Sequence, residues 1–116
     1  MKLPGKLRVC KSVWDLGRGL MFRKNPLHFI YWFQLNWQAR HRITMWFVFC
    51  PIDIVILDAK RKIVELKEGL QPWSHYRPQH SYQEFVELPS GSCKRFSLQV
   101  GQTLALDEEA GTVTLR

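Results

Sequence analysis

The chain is poor in the residues that mark a disulfide or metal scaffold. Of its 116 residues only three are cysteine, at positions 10, 50 and 93, an odd number spread far apart. No Cys-x-x-Cys pair occurs, which excludes a zinc ribbon and a thioredoxin-type redox motif. A small secreted domain carries a denser, even set, so reduced thiols and a cytoplasmic location are expected. Long hydrophobic runs are also missing. The longest apolar stretch, Ile43 to Leu57, is broken by Pro51 and Asp53. It is shorter than the roughly 20 residues a spanning helix needs, so no membrane span is expected. Residues Met1 to Arg8 carry charge without an apolar segment, which argues against a signal peptide. Internal repeats, low-complexity runs and Gly/Ser linkers are absent. Acid is scarce in the first half: residues 1–50 hold nine Lys/Arg against Asp15 alone, a balance of +8. Residues 51–116 hold eight Lys/Arg against nine acids, a balance of −1, and the two halves make the net +7. A surplus of that kind suits nucleic acid or an acidic surface, unless the acids fold back among the bases.

What is present is a globular composition, 46% hydrophobic and 23% charged, with seven Phe, five Trp and three Tyr. Residues 1–116 read as one domain, with 1–5 a loose N-terminal arm. Lys6–Lys11 suits an opening strand. Ser12-Val13-Trp14-Asp15 resembles a capping box, in which the hydroxyl takes one orphan N–H and the acid reaches back. A short helix through Leu16, Leu20 and Met21 would follow, ended by Asn25-Pro26. Phe29–Trp37 alternates, with Gln34 and Asn36 opposite Phe33, Leu35 and Trp37, the pattern of a half-buried strand. After a polar connection at 38–42, Ile43–Phe49 predicts a second strand and a hairpin with the first. Ile52–Leu57 reads as a strand buried on both faces. Strands are also predicted at Ile63–Glu68, Ser81–Leu88, Thr103–Leu106 and Thr112–Leu115. Gln71–His80 is expected as an irregular loop, and a short helical turn follows Pro89-Ser90-Gly91-Ser92. The fold class is therefore α+β and mostly β. About six to eight short strands and one or two short helices are expected, with the sheet curling into a barrel-like form that hides its edges.

Three segments carry a resemblance. Gly19-Leu20-Met21-Phe22-Arg23 comes first. Met45-Trp46-Phe47-Val48-Phe49-Cys50-Pro51-Ile52-Asp53-Ile54-Val55-Ile56-Leu57-Asp58 is second. Phe85-Val86-Glu87-Leu88-Pro89-Ser90-Gly91, with Val100-Gly101-Gln102, is third. In this order they resemble the family called domain of unknown function 192, also known as uncharacterised protein family 0127, over a core of about 9–106. The Met45–Pro51 variant looks like the archaeal branch. The resemblance implies a β-rich, barrel-like fold and no established activity, cofactor or catalytic residue. The chain departs at Gln102, where the family usually has Asp, and at Trp46-Phe47, where bacterial members often have Lys-Asn.

Asp53 is the one acid in an apolar strand, and a buried carboxylate must be paired or hydrogen-bonded. It is either a ligand-facing acid or general base, or a structural acid accepting backbone N–H groups or pairing with Arg18 or Arg23. Arg18 and Arg23 flank the Gly19–Phe22 stretch, where a guanidinium can bind an anion bidentately. Arg18, Arg23 and Asp53 together form a candidate ligand or anion pocket. Trp37, Arg40, His41 and Arg42 form a candidate nucleic-acid patch, an aromatic beside cations at a turn. His75 and His80 are two loop histidines without an adjacent acid or thiol, so no metal site is expected. No P-loop, dinucleotide fingerprint, Gly-x-Ser-x-Gly or His-Glu-x-x-His occurs, and no cofactor is expected. The first functional reading is a non-catalytic cytoplasmic module that binds a small ligand or a protein. The alternative is a basic accessory protein for single-stranded nucleic acid or RNA, and the third an enzyme using Asp53.

Overall fold

The computed structural model describes residues 1–11, 29–45 and 50–116. The predicted capping box and helix, Gly19–Arg23, Arg18 and residues 46–49 lie outside them. Among the described residues the strands are β1 (Lys6–Cys10), β2 (Phe29–Ala39), β3 (Ile43–Thr44), β4 (Ile52–Leu57), β5 (Ile63–Leu70), β6 (His75–Tyr76), β7 (Tyr82–Pro89), β8 (Leu104–Asp107) and β9 (Thr112–Leu115). One short helix, α1 (Ser92–Arg95), follows β7.

Five strands form the main sheet in the order β1-β2-β7-β4-β5. The β1–β2 pair is parallel and the other three pairs are antiparallel. β4 lies inside the sheet and is buried along its whole length, as its unbroken aliphatic run predicts. The register places side chains in rows across the strands: Tyr31–Glu87–Ile54 is one and Phe33–Phe85–Ile56 another. Each face carries its own core. Phe29, Tyr31, Phe33, Ile52, Ile54, Ile56 and Phe85 pack on one side with Ile43, Met45 and Tyr82. Ile30, Trp32, Val55, Leu57, Val86 and Leu88 pack on the other, under Cys93, Leu98, Leu104 and Val113. Fully burying a Leu- or Ile-sized side chain contributes roughly 1.5–3 kcal/mol, so the two-faced burial of β4 makes it the anchor of the sheet.

The fold is mostly β with one short helix among the described residues, as the sequence leads one to expect. The described sheets stay open, with β1 and β5 at the ends of the main sheet and β3–β6 and β8–β9 as separate two-stranded pieces. The described strands number nine. The hairpin between β2 and the Ile43 strand does not form, because both edges of β2 are taken by β1 and β7. β3 pairs instead with β6, Ile43 opposite Tyr76 and Thr44 opposite His75. Leu3 N–H donates to the Val113 carbonyl at 2.8 Å, Met1 and Leu115 exchange backbone bonds, and the Leu3 side chain is buried in the second core.

Candidate functional site

Asp53 faces the second core, with no solvent contact. Its Oδ1 accepts the Gly69 N–H at 2.8 Å, and its Oδ2 accepts the Gly91 N–H at 3.1 Å and the Cys93 N–H at 2.9 Å. Gly69 and Gly91 both have positive φ, 64° and 92°, a region that glycine enters without Cβ strain. The two glycines thereby turn their N–H groups onto the acid. Gly91 and Cys93 open α1, so a strand carboxylate supplies the acceptor that the helix start needs. Burial, and then the Asp53 charge and hydrogen bond, push the Cys93 thiol upward in pKa, and Glu68 adds to the shift. All three cysteines are buried thiols. Arg18 and Arg23 lie outside the described residues, so of the predicted ligand pocket only Asp53 is placed.

The second predicted set comes together at the end of β2. Trp37 is 63% exposed, not packed on the Phe33 face as its alternation suggests, since β2 outruns the core beyond Leu35. The His41 ring stands edge-on to Trp37 at 5.3 Å, with its Nε2 2.9 Å from the Trp37 carbonyl oxygen. Arg40 Nε donates to the Pro78 carbonyl at 2.8 Å, which ties this turn to the 71–80 loop. That loop is more ordered than expected: it contains β6, and Met45 exchanges backbone bonds with Ser74 and Trp73. Along the ribbon Ile43 and Met45 are buried, while Arg42, Thr44, His75 and Arg77 are exposed. Trp73, 53% exposed, lies on the same loop. The sequence reading found Trp37, Arg40, His41 and Arg42. It missed Trp73, His75 and Arg77, which only the β3–β6 pairing brings alongside.

Glu65 anchors this loop to the sheet. Its carboxylate accepts the Tyr76 hydroxyl, the Gln79 N–H at 2.9 Å, the His80 N–H at 3.2 Å and the His80 ring Nδ1 at 2.8 Å. Burial acts to raise the Glu65 pKa, but these hydrogen bonds outweigh it and hold the group below its usual range. Burial, with Glu65 beside it, pushes Tyr76 up to about 12. On the other face Glu84 accepts Trp32 Nε1 at 2.8 Å and Gln34 Nε2 at 3.1 Å, and pairs with Arg61 Nε at 3.2 Å. A groove of about 440 Å³ runs past Glu84, Asp58 and Lys11. Its charged groups are already engaged: Asp58 accepts the Lys60 and Lys62 N–H groups and Lys11 pairs with Glu108.

Glu87 differs from these acids. Glu87 stands on the face of Phe85, between Tyr31 and Ile54, and is 8% exposed. Among the described residues no group hydrogen-bonds to its carboxyl. It lines a cavity of about 220 Å³ walled by Phe33, Leu35, Ile43, Tyr82 and Phe85, with His41, Arg42 and Thr44 completing the lining. Burial pushes its pKa up to about 8. The sequence reading passed over Glu87 because it sits inside the Glu-Leu-Pro turn motif. The available signal was its i, i+2 spacing from Phe85, which puts an acid on an aromatic strand face. Among the described residues no group of three or more His, Cys, Asp or Glu is placed to hold a metal. No helix among them is long and apolar enough to cross a membrane.

The fold and these sites define a mostly β protein with a five-stranded open sheet and, on one face, a cavity lined by Glu87 and aromatic side chains. The family model for domain of unknown function 192, described as "Uncharacterized ACR, COG1430", matches residues 3–106, and the chain belongs to that family. Its relatives include archaeal proteins. The chain is 28% identical over 102 residues to the UPF0127 protein TK1120 of Thermococcus kodakarensis, a match covering 87% of this chain and 64% of that relative. It is 29% identical over 103 residues to the UPF0127 protein PYRAB11210 of Pyrococcus abyssi, covering 87% and 86%. A crystal structure of a protein of unknown function from Novosphingobium aromaticivorans superposes with a TM-score of 0.74 at 17% identity, over 82% of this chain and 70% of that one. That likeness concerns the fold.

Proposed function

We propose that this chain is a cytoplasmic small-ligand-binding module whose site is the Glu87 cavity. One observation carries the reading: the carboxyl of Glu87, a residue 8% exposed, accepts no hydrogen bond from the described residues and lines a cavity of about 220 Å³. The other buried and half-buried acids on the strands of the sheet, Asp53, Glu65 and Glu84, each accept several hydrogen bonds, which leaves Glu87 as the one with its carboxyl available to a ligand. Apolar side chains, here Phe33, Leu35, Ile43 and Phe85, beside a few placed polar groups, here His41, Arg42, Thr44 and Glu87, make the usual form of a small-molecule site. The test is NMR of the labelled protein with a set of small apolar amines, carboxylic acids and amides. Amide shifts grouped on Phe33, Ile43, Phe85 and Glu87 are expected. Shifts confined to the groove at Asn36, Asp58 and Glu84, or none from any compound, overturn the reading.

A second reading has its own observation. Trp37 and Trp73 are both more than half exposed on the ribbon that also carries Arg40, Arg42 and Arg77. Exposed indoles beside cations suit base stacking along a single strand of nucleic acid. Asp53 as a ligand-facing or catalytic acid, together with Arg18 and Arg23, receives less support, since its oxygens are occupied by three N–H groups of the chain itself.

A further inference from the structure

The cavity holds an asymmetry of charge that narrows its ligand. Glu87 lines it with aromatic and aliphatic side chains and with His41 and Thr44, and an arginine, Arg42, lines it while remaining exposed to solvent. Phe33 and Phe85 stack at 4.6 Å and 5°, and Tyr82 meets Phe85 edge-on at 5.6 Å. Among the described residues, two groups near Glu87 are committed elsewhere. The Tyr82 hydroxyl donates to the His41 carbonyl at 2.7 Å. In the row across the sheet the next residue after Ile54 is Lys67, whose Nζ lies over the Tyr76 ring at 5.7 Å. No ion pair joins Arg42 to an acid among the described residues.

We infer that the Glu87 cavity takes an amphoteric small molecule of amino-acid type, with its ammonium on Glu87, its apolar side chain against Phe33, Ile43 and Phe85, and its carboxylate on Arg42. This rests on the small-ligand reading above. An ammonium is the group that most improves the state of a carboxyl lining a small cavity beside aromatic and aliphatic side chains, because the pair offsets the partial desolvation that disfavours its charged form. Ring faces also attract cations. A carboxylate suits an exposed guanidinium, which it can bind bidentately. Binding then has a defined proton balance. In the empty cavity Glu87 is protonated below pH of about 8. On entry of the ammonium form the carboxyl ionises, one proton leaves to solvent, and the ammonium keeps its own. Association should therefore strengthen about tenfold per pH unit below that value and level off above it. Among the described residues the titratable or charged groups around the site are Tyr31, His41, Arg42, Glu65, Lys67 and Tyr82.

The test is isothermal titration calorimetry with three matched probes: leucine, 3-methylbutylamine, which lacks the carboxylate, and 4-methylpentanoate, which lacks the ammonium. Measurement at about pH 6, 7 and 8, in two buffers of different protonation enthalpy, counts the proton released. Leucine is expected to bind at least about tenfold tighter than either probe, a difference of about 1.4 kcal/mol, with close to one proton released at pH 7. Glu87→Gln should abolish the pH dependence and weaken leucine and the amine while sparing the acid. Arg42→Gln should weaken leucine and the acid while sparing the amine. If 4-methylpentanoate binds as well as leucine, or leucine binds without proton release, the amphoteric assignment is overturned and the small-ligand reading stands. If none of the three binds while other compounds shift the cavity amides, the outcome is the same. If nothing shifts those amides, both fall.

Discussion

At the scale of single residues, the acids in and beside the sheet divide by their partners. Asp53, buried to the same degree as the isoleucines around it, keeps its charge company with three backbone donors. Asp53→Ala would leave the Gly69, Gly91 and Cys93 N–H groups without an acceptor, each loss costing about 1–3 kcal/mol if water does not reach them. An overall destabilisation of roughly 3–5 kcal/mol is expected in urea melts. Asp53→Asn should cost less. Its amide oxygen can keep the Gly91 and Cys93 bonds, but its NH2 then confronts the Gly69 N–H. An Asp53→Ala protein as stable as the parent would show that the carboxylate is retained for ligand and not for the fold.

At the scale of elements, the β3–β6 ribbon is where structure adds most to the basic turn seen in the sequence. Two strands of two residues each are too short to stand alone. Their inner side chains, Ile43, Met45 and the half-buried Tyr76, settle on the first core, and Glu65 fastens the following loop through Tyr76, Gln79 and His80. The outer face is left to Arg42, Thr44, His75 and Arg77. If it tracks a nucleic-acid strand, log Kobs for a fluorescent oligothymidylate should fall linearly with log salt. Replacing Arg42 and Arg77 by Gln should flatten the slope by about one to two units. Trp37→Ala should weaken binding by about 1–3 kcal/mol at every salt concentration without changing the slope, as a stacking contact does. No binding at low salt would end this second reading and leave the ribbon as a lid on the first core.

At the scale of the whole molecule, the pH dependence of stability sums groups of opposite sign. Glu87 has a folded pKa of about 8 against an ordinary value of 4.5. Between those values the folded protein holds a proton that the unfolded chain has released. Stability from this group is therefore greatest below about pH 4.5, falls as pH rises through the window and levels off above about 8, by at most ~1.4 kcal/mol per unit. Glu65 works in the other direction, because its folded pKa is depressed. Its contribution is present above pH of about 4.5 and is lost as the pH falls through its folded value. Comparing the parent with Glu87→Gln isolates the first effect. The variant should gain on the parent progressively from about pH 5 to 8, by a few kcal/mol in total, and the gap should close at lower pH. A gap independent of pH would mean that Glu87 is ionised in the fold and already paired.

Much of this architecture follows from local pattern. The unbroken Ile-Val-Leu run of β4, the alternation of β5 and the glycine turns before α1 and β8 are all decided by side-chain period and backbone freedom, which a chain carries in its own order of residues. The isolation of Asp53 in an apolar run likewise announces a buried acid with partners, although the partners themselves, at Gly69, Gly91 and Cys93, lie far along the chain. Strand order does not follow from period. β2 and the Ile43 strand are neighbours in sequence and look like a hairpin, yet β1 and β7 compete for the same two edges of β2 and win them with longer registers. The exposure of Trp37 and the seclusion of Glu87 are settled in the same way, by where the core ends on one strand and by which side chains roof another. Both depend on residues brought together across the chain, and no window of sequence contains them.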